Sequence, residues 1–276
     1  MRQEKIAFIG GGNMATSLIA GLISDGYDPA ALLVSEPDAE KRGAVAARYG
    51  VRTTEDNLAA QRDADVLLLC VKPQMAKVVC TGLAAASTAA PRLVISVMAG
   101  VREASIQGWL GGARPLVRSM PNTPAMIQAG AIVLHASPEV TREQRNQAET
   151  ILRAGGLTRW VDSEDLIDTA TALSGSGPAY FFLLMEELER IGIALGLDPE
   201  TARLLTIQTA LGAARMAVES DHNPKELRER VTSPGGTTEA AIEVLTRGGL
   251  PSLVEDAVRA AHARARAITA LLADAE

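Results

Sequence analysis

Lys5-Ile-Ala-Phe-Ile-Gly-Gly-Gly-Asn-Met-Ala15 decides how the first half of this chain folds. A short apolar strand, Ile6 to Ile9, runs into Gly10, Gly11 and Gly12. Asn13, Met14 and Ala15 follow, and then a helical pattern carried by Leu18, Ile19, Leu22 and Ile23. The spacing is G-x-G-x-x-A. Gly10 makes the tight turn, Gly12 lets a pyrophosphate approach the backbone, and Ala15 lets helix and strand pack closely. A second strand, Leu32-Leu-Val-Ser35, arrives at the distance a βαβ unit requires. In that context the glycines predict a dinucleotide-binding unit.

The end of the second strand bears on which dinucleotide. It reads Ser35-Glu36-Pro37-Asp38. An acidic residue about twenty positions past the glycines holds the ribose hydroxyls of NAD and repels the extra phosphate of NADP. Glu36 sits near that place. Ser35 suits a phosphate instead, and Lys41 with Arg42 lies one turn into the next helix, so the two signals conflict.

At 276 residues, with 47% hydrophobic and 22% charged side chains, the chain has room for two domains of ordinary soluble composition. A net charge of −6 and the lack of any dense Lys/Arg block argue against a nucleic-acid or anionic-membrane surface. No apolar stretch is long enough to span a bilayer, and no signal core opens the sequence, which points to the cytoplasm. Cys70 and Cys80 lack ligand spacing, and the histidines (His135, His222, His262) are scattered, so no metal is expected.

Strand candidates alternate with helical segments up to about residue 162: Ile6–Ile9, Leu32–Ser35, Val51–Thr53, Val66–Cys70, Leu93–Val97, Leu116–Arg118, Ile132–His135 and Thr158–Val161. That alternation predicts a mostly parallel sheet with helices on both faces, the last strands turning antiparallel at one edge. Strand signals then stop. Amphipathic runs take over at Tyr180–Leu195, Ala202–Val218, Glu239–Leu245 and Leu253–Leu272. The expected architecture is an α/β Rossmann-type N-terminal domain (residues 1–162) with an all-α C-terminal dimerisation domain (residues 163–276). Such a short all-helical domain is expected to bury its apolar faces against a second copy.

Three further loops fall at carboxyl ends of strands, where ligands of an open α/β sheet collect. They are Val71-Lys72-Pro73-Gln74, Met98-Ala99-Gly100 and Met120-Pro121-Asn122-Thr123-Pro124. Lys72 is placed to reach a phosphate or ribose, Met98 and Ala99 to lie close to a nicotinamide, and Asn122 and Thr123 to offer an amide and a hydroxyl.

A second glycine-rich loop, Val231-Thr-Ser-Pro-Gly-Gly-Thr-Thr238, feeds the helical run that begins at Glu239. Pro234 fixes φ, and Gly235 and Gly236 admit backbone shapes a Cβ would block. Free N–H groups at a helix start can hold a small anion without Lys or Arg. Taken alone, the stretch also fits an ordinary turn with a threonine N-cap, and Ser233 fits either reading.

With both loops in view the chain resembles the pyrroline-5-carboxylate reductases over essentially its full length. The likeness rests on Phe8–Ala15, Val71–Gln74, Met120–Pro124, Glu164-Asp165-Leu166-Ile167-Asp168, Leu173-Ser174-Gly175-Ser176-Gly177-Pro178-Ala179-Tyr180 and Val231–Thr238. The resemblance implies a Rossmann domain plus a helical domain interlocked with a partner subunit, in a homodimer or a dimer-based larger oligomer. It implies NADPH as hydride donor and a cyclic imino acid as substrate. It assigns the substrate carboxylate to the backbone of Ser233, Gly235, Gly236 and Thr237, and gives Thr238 the ring nitrogen and thus the catalytic role. Glu164 is placed near the substrate and Asn57 at the adenosine. The cofactor set is then Ile9, Gly10, Gly11, Gly12, Asn13, Met14, Ser35, Glu36, Asn57, Val71, Lys72, Pro73, Met98, Ala99, Asn122 and Thr123. Two departures stand out: Glu36 where some relatives face the 2′-phosphate with serine, which admits NADH as well, and Arg230 where some carry asparagine. A β-hydroxyacid dehydrogenase, the nearest enzymatic rival, needs a lysine where this chain has Phe181. A non-catalytic dinucleotide sensor leaves the Ser233–Thr238 loop without a task.

Overall fold

The structure, a computed structural model, describes residues 3–84 and 92–273. Contacts divide the chain into two compact units. The first runs to Ser176 and regains the chain from Ala261; the second is Gly177–Ala260. The division thus falls later than the 162/163 boundary expected from the last strand. The reason is local: Ile167, Ala170 and Ala172 are buried, and Ser174 accepts a hydrogen bond from Asn122. Helical periodicity reveals an apolar face but not which sheet covers it.

The first unit holds β1 (Ile6–Ile9), β2 (Leu32–Ser35), β3 (Arg52–Thr54), β4 (Val66–Leu69), β5 (Leu93–Ser96), β6 (Leu116–Met120), β7 (Gly130–Ala136) and β8 (Gly156–Trp160). They form one sheet in the order β3-β2-β1-β4-β5-β6-β7-β8. The first six are parallel, with the crossover reversing direction between β1 and β4. β7 runs antiparallel to β6, and β8 parallel to β7. This is the Rossmann-type sheet with its reversed edge. Between the strands lie α1 (Asn13–Ser24), α2 (Ala39–Tyr49), α3 (Asn57–Asp63), α4 (Ala76–Ala84), α5 (Glu103–Trp109), α6 (Arg142–Arg153) and α7 (Leu166–Ala170).

Why the central strands read as unbroken apolar runs follows from period-two alternation with both faces covered. Ile6, Phe8, Val34, Leu68 and Ile95 meet residues of α1, α2 and α6 such as Leu18, Val45 and Ile151. Ala7, Ile9, Leu67, Leu69 and Val94 meet Ala60, Cys80 and Ile106 of α3, α4 and α5 on the other face. Each buried Val, Leu, Ile or Phe among them contributes about 1.5–3 kcal/mol. Neither cysteine is in a disulfide, and burial pushes both thiols, Cys70 and Cys80, up to about 12.

The second unit contains α8 (Gly177–Ala194), α9 (Pro199–Glu219), α10 (Pro224–Arg230), α11 (Thr237–Arg247) and the first part of α12 (Leu250–Ala273). Local chemistry starts α9 and α10 cleanly. Asp198 accepts from the Thr201 N–H, with Pro199 next; Asn223 and Glu226 form a capping box around Pro224. The short α10 lies between the runs expected at Ala202–Val218 and Glu239–Leu245, where no helix was expected. Among the described residues of this unit only Gly177 and Ala202 are buried. Phe181, Phe182, Leu184, Leu188, Leu204 and Leu211 all stand exposed. The unit has apolar faces and no core of its own.

Candidate functional site

At the carboxyl ends of β1 and β2 the first glycine loop is held by its neighbours. Gly10 has φ +101°, and a Cβ there would lie 2.8 Å from the Cys70 carbonyl oxygen, so only glycine makes this turn beside β4. Its N–H bonds the Ser35 carbonyl at 2.8 Å. Gly11 donates its N–H to Glu36 Oε2 at 2.9 Å. Gly12 has nothing within 4 Å of an added Cβ, so its face is open. Among the described residues none accepts from the N–H of Gly12, Asn13 or Met14, and Gly12 caps α1 without a side-chain bond. The start of a helix with free donors and an open glycine face fits a pyrophosphate.

Glu36 is half-buried, with its second oxygen on the Asp38 N–H. Ser35 Oγ donates to Asn57 Oδ1 at 2.6 Å, which brings two expected site residues together at the end of β2. Arg42 is not free to neutralise a phosphate: its Nη1 serves the carbonyls of Glu36 and Pro37. Lys41 stays exposed beside Asp38.

The remaining loops differ more from expectation. Lys72 is exposed just after β4, between Val71 and Pro73. Met98 packs into the core with Ile9 and Leu69, while Ala99 and Gly100 are half-buried, Gly100 against Ile268 and Leu272. Asn122 is spent on the scaffold. Its amide nitrogen donates to the Ser174 carbonyl, and its oxygen accepts the Ala131 N–H, each at 2.9 Å. Thr123 beside it is exposed.

Glu164 was expected at the substrate. The structure commits both of its oxygens within the first unit. Oε1 accepts from Arg118 Nη1 and from the Glu103 N–H, each at 2.6 Å; Oε2 faces Arg102 at 3.4 Å. Arg102 continues to Asp165 and to buried Asp168, which receives the Thr269 hydroxyl at 3.1 Å. Burial alone would raise the Glu164 carboxyl. The charge of Arg118, the Glu103 N–H and Arg102 together outweigh it and hold the group below its usual range. Burial depresses His135, with Glu164 opposing and Arg118 and Arg145 assisting, so it is neutral at pH 7 and its approach to Glu103 is not an ion pair. Arg102, Arg118 and Glu103 were given no role from the sequence, and Asp168 entered only within the 164–168 stretch; each lies dozens of residues from its partner, and only an Arg inside an apolar strand hinted at them.

In the second unit, the 231–238 loop joins α10 to α11. Gly235 has φ +70°. Its N–H goes to Glu239 Oε2 at 2.7 Å, and the Gly236 N–H goes to the Ser233 carbonyl at 3.0 Å. These glycines therefore shape the turn and do not offer free donors. Among the described residues nothing accepts from the N–H groups of Thr237, Thr238 and Glu239, and α11 has no side-chain cap. The Ser233 side chain and Arg230 are exposed. Among the described residues no cluster of His, Cys, Asp or Glu could hold a metal ion, and no helix is long and apolar enough to cross a membrane.

Comparison with known proteins covers both units. Residues 164–268 match the family model described as pyrroline-5-carboxylate reductase dimerisation, a span that begins ahead of the contact division. Residues 5–100 match a model described as NADP oxidoreductase, coenzyme F420-dependent. The chain is 50% identical over 264 residues to a pyrroline-5-carboxylate reductase of Pseudomonas aeruginosa, covering 96% of each. It is 44% identical over 271 residues to one of Pasteurella multocida, covering 96% of this chain and 98% of the relative. A solved pyrroline-5-carboxylate reductase from Coxiella burnetii superposes with TM-score 0.93 at 49% identity, covering 97% of this chain and 99% of that one. The Plasmodium falciparum pyrroline carboxylate reductase solved with NADP bound gives 0.85 at 26% identity, covering 98% and 99%.

The Glu164 cluster makes a pH-dependent prediction. A carboxyl whose folded pKa is depressed stabilises fully above its unfolded value of about 4.3, and the gain disappears as pH falls through the folded value. Glu164→Gln should therefore unfold more easily at pH 7, by about 2 kcal/mol for the lost charge-assisted bonds. The deficit against wild type should shrink toward pH 3. Calorimetric melting at both pH values checks this; a deficit that persists undiminished in acid contradicts it.

Proposed function

This chain belongs to the pyrroline-5-carboxylate reductase family, and we propose how its residues divide that chemistry. It is an NAD(P)H-dependent oxidoreductase that reduces the C=N bond of 1-pyrroline-5-carboxylate to give L-proline, the last step of proline biosynthesis. The observation that carries the residue assignment is the pair of helix starts with unsatisfied N–H groups, at α1 and at α11.

On this reading the cofactor is held by Ile9, Gly10, Gly11, Gly12, Asn13 and Met14, by Ser35, Glu36 and Asn57 at the end of β2, and by the loops of Val71-Lys72-Pro73, Met98-Ala99 and Asn122-Thr123. The free N–H groups after Gly12 support a pyrophosphate there. Met98 and Asn122 would serve by shaping their loops, since the first is buried and the second has its amide engaged. When bound, the reduced nicotinamide supplies the hydride to the imine carbon.

The substrate carboxylate would rest on the N–H groups of Thr237 and Thr238, with Ser233 alongside and Gly235 and Gly236 providing the turn. Hydride adds to an iminium far more readily than to a neutral imine, so the ring nitrogen must be protonated before or during transfer. The 231–238 loop contains no His, Lys or Glu to act as a strong acid. An imine nitrogen is basic enough to take its proton from water near neutrality. The task left for Thr238 is to orient that nitrogen through its hydroxyl, and most of the rate comes from fixed geometry. Glu164 would act at one remove, by anchoring α5 and β6 through Glu103 and Arg118.

Both NADPH and NADH are proposed as donors, with Glu36 setting the balance. Its carboxylate stands on the Gly11 N–H, while Arg42 is turned onto carbonyls, so a 2′-phosphate meets a negative group with only Lys41 to offset it. The bare faces of α8 and α9 support a homodimer or a dimer-based larger assembly. A cytoplasmic location suits the two free thiols.

Purified protein should oxidise NADPH or NADH in the presence of pyrroline-5-carboxylate, followed by absorbance; no loss with either nucleotide would refute the activity. Thr238→Ala should lower turnover roughly ten- to a thousandfold with the fold intact; an unaltered rate would reduce Thr238 to a helix residue. Glu36→Ser should raise the ratio of kcat/KM for NADPH over NADH by roughly tenfold or more; an unmoved ratio would free Glu36 of this role. Sedimentation should show a dimer or larger species whose melting temperature rises with protein concentration. A monomer with a concentration-independent transition would contradict the assembly.

A further inference from the structure

The third residue of a helix often turns a Glu side chain back onto the N-cap N–H. Glu239 holds that place in α11, behind N-cap Gly236, but its carboxylate reaches one residue further, to the N–H of Gly235 at 2.7 Å. Gly235 needs its positive φ of +70° for this turn, and the next amide, Gly236, is closed off by the Ser233 carbonyl at 3.0 Å. The loop thus has its two glycine donors consumed internally. Those of Thr237, Thr238 and Glu239 have no acceptor among the described residues.

We propose that Glu239 is a positioning residue for the reduction: by taking the Gly235 N–H it locks the turn and confines the substrate carboxylate to the N–H groups that follow it. This deepens, and rests on, the reading of the 231–238 loop as the carboxylate site. The opposite effect is also physical, because a negative side chain close to an anion site repels the anion. The two differ in sign. A clamp that is lost weakens binding of the carboxylate, whereas repulsion that is removed strengthens it. The carboxylate of Glu239 is directed at the Gly235 donor and away from being a bare charge, so the clamp dominates.

The test compares wild type, Glu239→Ala, Glu239→Gln, Thr237→Pro and Thr238→Ala for KM toward pyrroline-5-carboxylate, kcat, and inhibition by L-proline and by L-prolinamide, which lacks the carboxylate. Circular dichroism confirms folding of each. Glu239→Ala should raise KM and the L-proline inhibition constant roughly three- to tenfold, with kcat falling less and prolinamide inhibition moving little. Glu239→Gln, which keeps an acceptor oxygen but no charge, should recover most of the loss. A KM in Glu239→Ala equal to or below that of wild type overturns the proposal, as does equal weakening of prolinamide or failure of Gln to recover. Thr238→Ala keeps the main-chain donors and reports only on the hydroxyl; Thr237→Pro, which deletes the first donor at a helix position that accepts proline, separates the premises. If Thr237→Pro leaves KM unchanged, the loop reading itself fails, and if it is impaired while Glu239→Ala is not, only the role of Glu239 does.

Discussion

The helices between Gly177 and Ala260 bury almost nothing of their own, and the rest of the second unit inherits that constraint. Phenylalanines and leucines along α8 and α9 stand in solvent when the chain is alone. At about 25 cal/mol per Å² of apolar surface, a face of that kind outweighs what caps and local turns contribute. The 231–238 loop is strung between α10 and α11 in this same unit. Its geometry is therefore only as firm as the packing of helices that have no internal core. The first unit faces no such dependence, since its sheet is sealed on both sides by residues of its own chain.

One device recurs where loops must hold an unusual shape: a carboxylate accepts a main-chain N–H. Glu36 does so for Gly11, Glu164 for Glu103 and Glu239 for Gly235. Ionised acceptors bond main-chain donors more strongly than neutral ones, and in both glycine loops the amides that follow at the helix start stay without an acceptor among the described residues. In the glycine loop after β1 the bond is made at Gly11 and Gly12 stays bare; after α10 it is made at Gly235 and Thr237 stays bare. Charge is thus used to decide which donors remain available.

Much of the first unit was legible because buried parallel strands carry short, unmixed apolar runs, and the observed strands sit within a residue or two of their expected places. The reversed edge was legible from close spacing alone. The long helices showed themselves by periodicity. α10 did not, because seven residues give too few repeats, although Asn223, Pro224 and Glu226 spell its start. Side-chain commitments were the least readable. That Asn122 would spend its amide on Ser174 and Ala131, or that Glu164 would sit between Arg118 and Arg102, depends on partners far off in sequence. Loops at strand ends could be placed; which of their atoms were already taken could not.

The two cysteines carry a practical consequence. Both lie where burial pushes the thiol up to about 12, so near neutral pH the reactive anion is almost absent. Peroxide and alkylating agents act on that anion. At these two positions the chain is accordingly slow to react with such reagents near neutral pH.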